Sequence, residues 1–335
     1  MALLRINATP NGLAAEGSEE SGPAATRAIR QALACAGPVI VLIHGYKFAP
    51  GEPGRSPHRH ILSAEPVRGH WKAVSWPRHL GFGRGDTREG LCIAFGWDAR
   101  GSLAQAYRRA GTAGAALARL AAEIAAEAPG RQVHVVAHSL GARVALTALR
   151  QAPAGAFGRL VLLAAAEFSS EAQGALAAPG AASAEIVNVT TRENDLFDFL
   201  FERLAPAPRP GDRALGLGLG PLAGCRAPRP TASEQAQHRS STRWLDIQLD
   251  HPGTAPALRG LGFRLAPADR RVCHWSPYLR PGALAFYRAL LREPERLPLP
   301  LLRDALPTAQ APRWSRLLAR PRLRLPLSSV PHVPS

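Results

Sequence analysis

Apolar runs alternate with longer amphipathic segments along most of the chain. Several runs are continuous and rich in aliphatic residues, a pattern typical of strands buried on both faces. These runs are PVIVLIHG, LCIAFGW, VHVVAH, LVLLAAA and EIVNVTT. A first strand is predicted over residues 3–8, and RWLDIQLD predicts the last one.

Helical periodicity fills the intervals between these strands. It is clearest over residues 102–127, with Ser102 as the expected N-cap and Pro129-Gly130 as the stop. Further helices are predicted over residues 24–36, 140–151 and 282–292. Strands that alternate with helices of this length indicate an α/β fold, with a mostly parallel central sheet and helices on both faces.

One large domain is predicted over residues 1–293, with loop insertions at 46–90 and 205–240. Both insertions are rich in Pro, Gly and Arg and have little periodicity. The tail, 294–335, alternates Pro, Leu and Arg and is predicted to be extended or disordered.

The net charge of +16 does not by itself indicate a nucleic-acid partner. Of the 41 basic residues, Lys47 and Lys72 are the lysines and the other 39 are arginines. Arg, Ala, Gly and Pro share GC-rich codons, so genome composition accounts for the bias. The arginines are also scattered, without the interleaved aromatic residues of a base-stacking surface.

The cysteines, Cys35, Cys92, Cys225 and Cys273, form no CxxC pair, so their spacing predicts neither a metal knuckle nor a redox motif. Neither a metal nor a cofactor is expected. The N-terminal residues MALLRINATPNG do not have the pattern of a signal peptide. No apolar run approaches the ~20 residues of a membrane span. A cytoplasmic location is therefore expected.

The segment VHVVAHSLGARVALTAL places Ser139 between a buried strand and an amphipathic helix. A nucleophile elbow has this context, with small residues two positions before and after the serine. Here they are Ala137 and Gly141, and Ala137 departs from the usual glycine by one methyl group. Ser139 is the predicted nucleophile.

A buried strand that ends in His44-Gly45, followed by a strand, AHSLG and a helix, resembles the α/β-hydrolase superfamily of serine esterases and lipases. The resemblance extends over residues 3–292 and implies an oxyanion hole formed by the backbone N–H groups of Tyr46 and Leu140. It also implies that His44 and His138 are structural.

The same resemblance implies the chain order serine, acid, histidine. Asp195, after EIVNVTT, is the expected acid, and Glu193, Asp198 and Glu167 are alternatives. His274, shortly before the closing helix, is the expected base. The alternatives to it are His251 and, with less support, His238.

These residues predict cleavage of an ester-like bond in a small acyl substrate, by a Ser-His-Asp triad and an acyl-enzyme. The insertion at 46–90 is expected to shape the substrate pocket or a lid. The alternative is a non-catalytic binding or scaffold domain whose basic tail contacts an acidic partner or a membrane surface. The oligomeric state and the acyl preference stay open.

Overall fold

A computed structural model describes residues 3–17, 22–86, 88–219 and 243–319. Its strands follow the predicted apolar runs. They are β1 (Leu3–Thr9), β2 (Gly12–Ala15), β3 (Val39–Ile43), β4 (Leu91–Gly96), β5 (Val133–His138), β6 (Phe157–Leu163), β7 (Glu185–Thr190) and β8 (Trp244–Gln248).

These strands form one sheet in the order β2-β1-β4-β3-β5-β6-β7-β8. Every neighbouring pair is parallel except β1 and β2, which form an antiparallel hairpin. The prediction of a mostly parallel sheet is confirmed. The sequence pattern does not predict strand β2, because four residues are too few to show a period.

The helices cover both faces of the sheet, as predicted. They are α1 (Pro23–Ala32), α2 (Trp76–His79), α3 (Leu103–Glu127), α4 (Gly141–Gln151), α5 (Ser169–Leu176), α6 (Asp195–Leu204), α7 (Thr254–Gly260), α8 (Ser276–Leu279), α9 (Ala283–Arg292) and α10 (Leu299–Ala305). Ser102 caps α3 in a capping box with Gln105, which confirms the predicted start.

Two apolar clusters form the core, one on each face of the sheet. Alternate residues of β3 belong to different clusters: Val41 packs with α1, α3 and α4, whereas Leu42 packs with α2, α9 and α10. This follows from the two-residue period of a strand. The sheet is therefore a core layer covered on both sides.

The insertion at 46–90 belongs to the core over much of its length. Ile61, Leu62, Trp76, Leu80 and Phe82 are buried against the sheet in the second cluster. Trp76 and Phe82 are therefore core residues, and the segment between β3 and β4 is a packed part of the domain.

The prediction of an extended or disordered tail is wrong for residues 299–305. Helix α10 lies there, and its Leu299 and Leu302 are buried in the second cluster. The alternation of Pro and Leu hides a helix whose first turn begins with Leu299-Pro300, where proline is tolerated. Residues 320–335 of the tail lie outside the described part, as do residues 220–242, which include most of the second insertion.

Within the four described ranges, no helix is both long and apolar enough to cross a bilayer.

Candidate active site

Ser139 lies on a sharp turn between β5 and α4. Its φ is 56°, in the left-handed region that residues other than glycine rarely adopt. Three backbone hydrogen bonds hold it there. Its N–H donates to Leu163 O at 3.0 Å, and its carbonyl accepts from Ala142 N at 3.0 Å and Ala166 N at 3.1 Å. The carboxyl end of β6 thus supports the turn.

Close backbone packing explains the small residues around Ser139. A Cβ on Gly141 would lie 2.7 Å from His44 O, and one on Gly45 would lie 2.7 Å from Ser139 Cβ. Both distances are too short for real atoms, so each position requires glycine. Ala137 is accommodated and fully buried. This is the backbone geometry of a nucleophile elbow.

A cavity of about 780 Å³ opens above this turn at the carboxyl edge of the sheet. Ser139, His274, Asn194, Tyr46 and Leu140 all line it. Among the side chains that line the cavity, the carboxylate of Asp198 is the one acidic group.

His274 lies in the segment between α7 and α8, and contacts on several sides fix its ring. Its Nδ1 donates to Asn194 Oδ1 at 2.7 Å, and its ring stacks on Phe197 with centroids 4.7 Å apart. His138 Nε2 donates to the carbonyl oxygen of His274 at 3.0 Å. Because Nδ1 carries the proton, Nε2 is the nitrogen with a free lone pair.

Burial lowers the pKa of His274 well below that of an ordinary histidine, and the nearby His138 and Lys72 lower it further. The imidazole is therefore neutral at neutral pH. Ser139 Oγ and His274 share the cavity, but the structure has no hydrogen bond between them. Such bonds are often long before substrate binds and tighten in the complex.

The prediction that Asp195 contacts the base is wrong. One Asp195 oxygen is 3.1 Å from Arg192 Nη1, and the other accepts from Trp314 N at 2.6 Å. As the first residue of α6, Asp195 directs its side chain toward residues 310–319 of the tail. The neighbouring Asn194 is the residue that contacts His274.

Asn194 is in turn held by Asp198, one helical turn further on. Asn194 Nδ2 donates to Asp198 Oδ1 at 2.8 Å, which fixes the amide so that its oxygen points to His274. Burial raises the pKa of Asp198 to about 8, although the charge of Arg192 opposes the shift. Asp198, one of the alternative acids, reaches the base through Asn194.

The other predicted acids have structural partners. Glu193 receives Arg280 Nη2 at 2.6 Å and Arg270 N at 3.2 Å. Glu167 is buried between Tyr107 Oη at 2.6 Å and Arg143 Nη1 at 2.9 Å.

The alternative bases do not reach the site. The Nδ1 atom of His251 accepts from Gly253 N at 3.1 Å, outside the residues that line the cavity. His238 lies outside the described residues.

Tyr46 and Leu140, the residues predicted to donate their backbone N–H groups, line the cavity together with Ser139. Neither N–H group donates to an acceptor in the described part of the chain. Leu140 is the N-cap of α4, so its N–H lies at the positive end of the helix dipole. Both groups are available to bind a developing oxyanion.

His44 is a structural residue. Its Nδ1 donates to Gly45 O at 2.9 Å, and its Nε2 accepts from Trp97 N at 3.0 Å. Burial lowers its pKa to about 4. Its ring also stacks on that of Trp97, which is a core residue and not part of the cavity wall.

The described residues contain no group of three or more His, Cys, Asp or Glu that could hold a metal ion. In the HRH sequence of the insertion, His58 Nε2 bonds to Asn7 Oδ1 at 2.7 Å, beside β1. His60 turns instead to His70, 3.1 Å away.

Comparison with known proteins gives a family match over part of the chain. Residues 24–174 match the model of a family described as "Alpha/beta hydrolase of unknown function (DUF900)". The match covers β3, β4, the elbow and the two donor positions, and it ends before Asn194 and His274. No curated protein matches the sequence.

Proposed function

We propose that this chain, a member of the α/β-hydrolase superfamily, is a serine hydrolase that cleaves an ester-like acyl bond through an acyl-enzyme. Ser139 is the nucleophile, His274 the general base and Asn194 the residue that orients the base. The observation that carries the proposal is the pair of hydrogen bonds from His274 through Asn194 to Asp198, beside a serine on a strained turn.

In the first step, Ser139 Oγ attacks the substrate carbonyl carbon and its proton passes to His274 Nε2. The tetrahedral oxyanion accepts from the N–H groups of Tyr46 and Leu140. His274 then donates the proton to the leaving alcohol oxygen, the bond from that oxygen to the carbonyl carbon breaks, and the acyl group stays on Ser139. The same imidazole activates water to release the acid.

Asn194 has the role that asparagine has in cysteine-histidine-asparagine sites. Its amide oxygen accepts the Nδ1 proton, so Nε2 is left free for the serine proton. Asp198 stabilises this orientation because its Oδ1 accepts a hydrogen bond from the amide NH₂ group. An unprotonated carboxyl oxygen has no hydrogen to donate, so the amide oxygen of Asn194 cannot take the place of the NH₂ group.

The experiment is covalent labelling with a neutral fluorophosphonate, followed by mass spectrometry of the labelled peptide. Wild type should be labelled at Ser139 and should hydrolyse p-nitrophenyl esters. Ser139→Ala should lose both properties. Ser170→Ala is a matched control, since Ser170 lies on α5 and bonds to Asp212. Equal labelling of wild type and Ser139→Ala would end the assignment.

A further inference from the structure

Both lysines of the chain line the cavity above Ser139. Lys47 directly follows Tyr46, the proposed oxyanion donor. Lys72 Nζ lies 3.2 Å from the ring centroid of Trp275, the residue next to His274. Two ammonium groups therefore flank the proposed reaction centre.

Neither ammonium has a carboxylate partner among the described residues. Acidic residues of the same insertion have other partners: Glu52 pairs with Arg100, Glu65 pairs with Arg78 at 2.8 Å, and Glu89 accepts from the backbone N–H groups of Gly83 and Arg84. The cavity's one acidic side chain, Asp198, is behind Asn194, and its pKa of about 8 leaves it mostly uncharged at neutral pH.

Lys72 is also partly withdrawn from water. Its ammonium stands between the rings of Trp71, at 5.1 Å, and Trp275. Burial lowers its pKa, and the nearby charge of Lys47 acts in the same direction. An anion placed between the two lysines would offset both the burial of Lys72 and its repulsion from Lys47.

Another part of the cavity wall is apolar. It is built from the start of α3 and one side of α6, where the lining residues are Leu103, Ala104, Phe197, Leu200, Phe201 and Leu204. Leu200 and Leu204, one helical turn apart, are 42% and 59% exposed and extend this wall to the rim. Such a surface suits an acyl chain.

We propose that the substrate is an amphipathic anionic ester, with an apolar acyl chain along α6 and an anionic group on the alcohol side bound by Lys47 and Lys72. This inference rests on the proposed serine hydrolase function. Lys47 follows the proposed oxyanion donor, and Lys72 contacts Trp275, next to the base that protonates the leaving alcohol. The anionic group is therefore assigned to the alcohol side of the bond.

The test compares 3-octanoyloxy-4-nitrobenzoate, which is anionic, with its neutral methyl ester. Both release a nitrophenol and share one acyl chain. Wild type should have a KM at least about fivefold lower for the anion, and the difference should shrink with added salt. Shortening the acyl chain should reduce kcat/KM for both esters, by up to about fourfold per methylene.

Lys47→Gln and Lys72→Gln should each raise KM for the anion by about fivefold, with little effect on the neutral ester. Lys47→Arg and Lys72→Arg should restore the lower KM for the anionic ester. Arg119→Gln is a matched control, since this exposed residue lies on α3 about 24 Å along the helix from Leu103.

Equal KM values for the two esters in wild type, with Ser139 still labelled, would overturn the substrate class and leave the hydrolase proposal standing. Lysine variants that raise KM equally for both esters would also overturn the substrate class and leave the hydrolase proposal standing. Absence of Ser139 labelling would overturn both proposals together.

Discussion

His274 and Asn194 are 80 residues apart in the chain and meet through a hydrogen bond of 2.7 Å. Asn194 closes a short turn after β7, and His274 follows β8, the next strand of the sheet. Because the carboxyl ends of parallel neighbours lie at one edge, the two side chains converge above Ser139. The proposed chemistry depends on this contact.

Replacing Asn194 by alanine leaves the buried Nδ1–H of His274 without an acceptor and frees its ring to turn. We expect kcat to fall by about 10²–10⁴, the range assigned to general base catalysis, with KM much less affected. Steady-state kinetics on a p-nitrophenyl ester measures this. An unchanged kcat would show that His274 is oriented by something else.

Asn194→Asp should restore an acceptor and also change the pH profile. A carboxylate beside His274 stabilises the imidazolium and raises the pKa of the base. The base works only when it is neutral, so the acidic limb of kcat/KM should move to higher pH than in wild type. A limb that stays in place or moves to lower pH would contradict the contact between residues 194 and 274.

Asp198 should act through Asn194. Asp198→Ala removes the hydrogen bond that fixes the amide, a loss of about 1.4 kcal/mol or tenfold in kcat. Asp198→Asn keeps an acceptor oxygen and should recover most of the rate. Since the pKa of Asp198 is about 8, the wild-type kcat should also change with pH around that value. This pH-dependent change should be missing in Asp198→Asn.

Gly216 offers an indirect test of the same residue. A Cβ at this position would lie 1.9 Å from Asp198 Oδ2, so Gly216→Ala must displace the carboxyl group. We expect a fall in kcat similar to that of Asp198→Ala. Gly260→Ala is the control, since a Cβ added there would meet nothing within 4 Å. Equal activity of the two glycine variants would argue against a role for Asp198.

The ion pair between Glu193 and Arg280 should be a strong determinant of stability. Both side chains are buried, and Glu193 O also accepts from Cys273 N at 2.8 Å, directly before the base. Glu193→Ala leaves an unpaired buried guanidinium and should cost about 3–5 kcal/mol of unfolding free energy. Chemical denaturation measures the loss, and Arg280→Met in the same chain should recover part of it.

Acid should destabilise the protein through its buried histidines. The pKa of His44 is about 4 in the folded chain, against 6.5 for an ordinary histidine. Between these values the unfolded chain binds more protons, so stability is lost as the pH falls from 6.5 to 4. The stability gap between wild type and His44→Gln should narrow over this range, by about 3 kcal/mol at most. A gap independent of pH would contradict a neutral His44.

Much of the fold is accessible from local patterns. Each long apolar run forms a central strand, because a strand covered on both faces buries nearly every position and is therefore mostly apolar. The capping box at Ser102 and Gln105 lies within four consecutive residues. Helix α10 in the tail could not be predicted from such patterns. The burial of Leu299 and Leu302 depends on distant residues, so the local sequence shows no helical periodicity.

The sequence by itself determined the seven longer strands and the elbow at Ser139, since each depends on residues adjacent in the chain. Only the tertiary structure decided between Asn194 and Asp195. One step along a helix turns a side chain by roughly 100°, so neighbouring polar residues face different partners. Asn194 faces His274 and Asp195 faces Arg192 and the tail, and only packing across the whole domain distinguishes those directions.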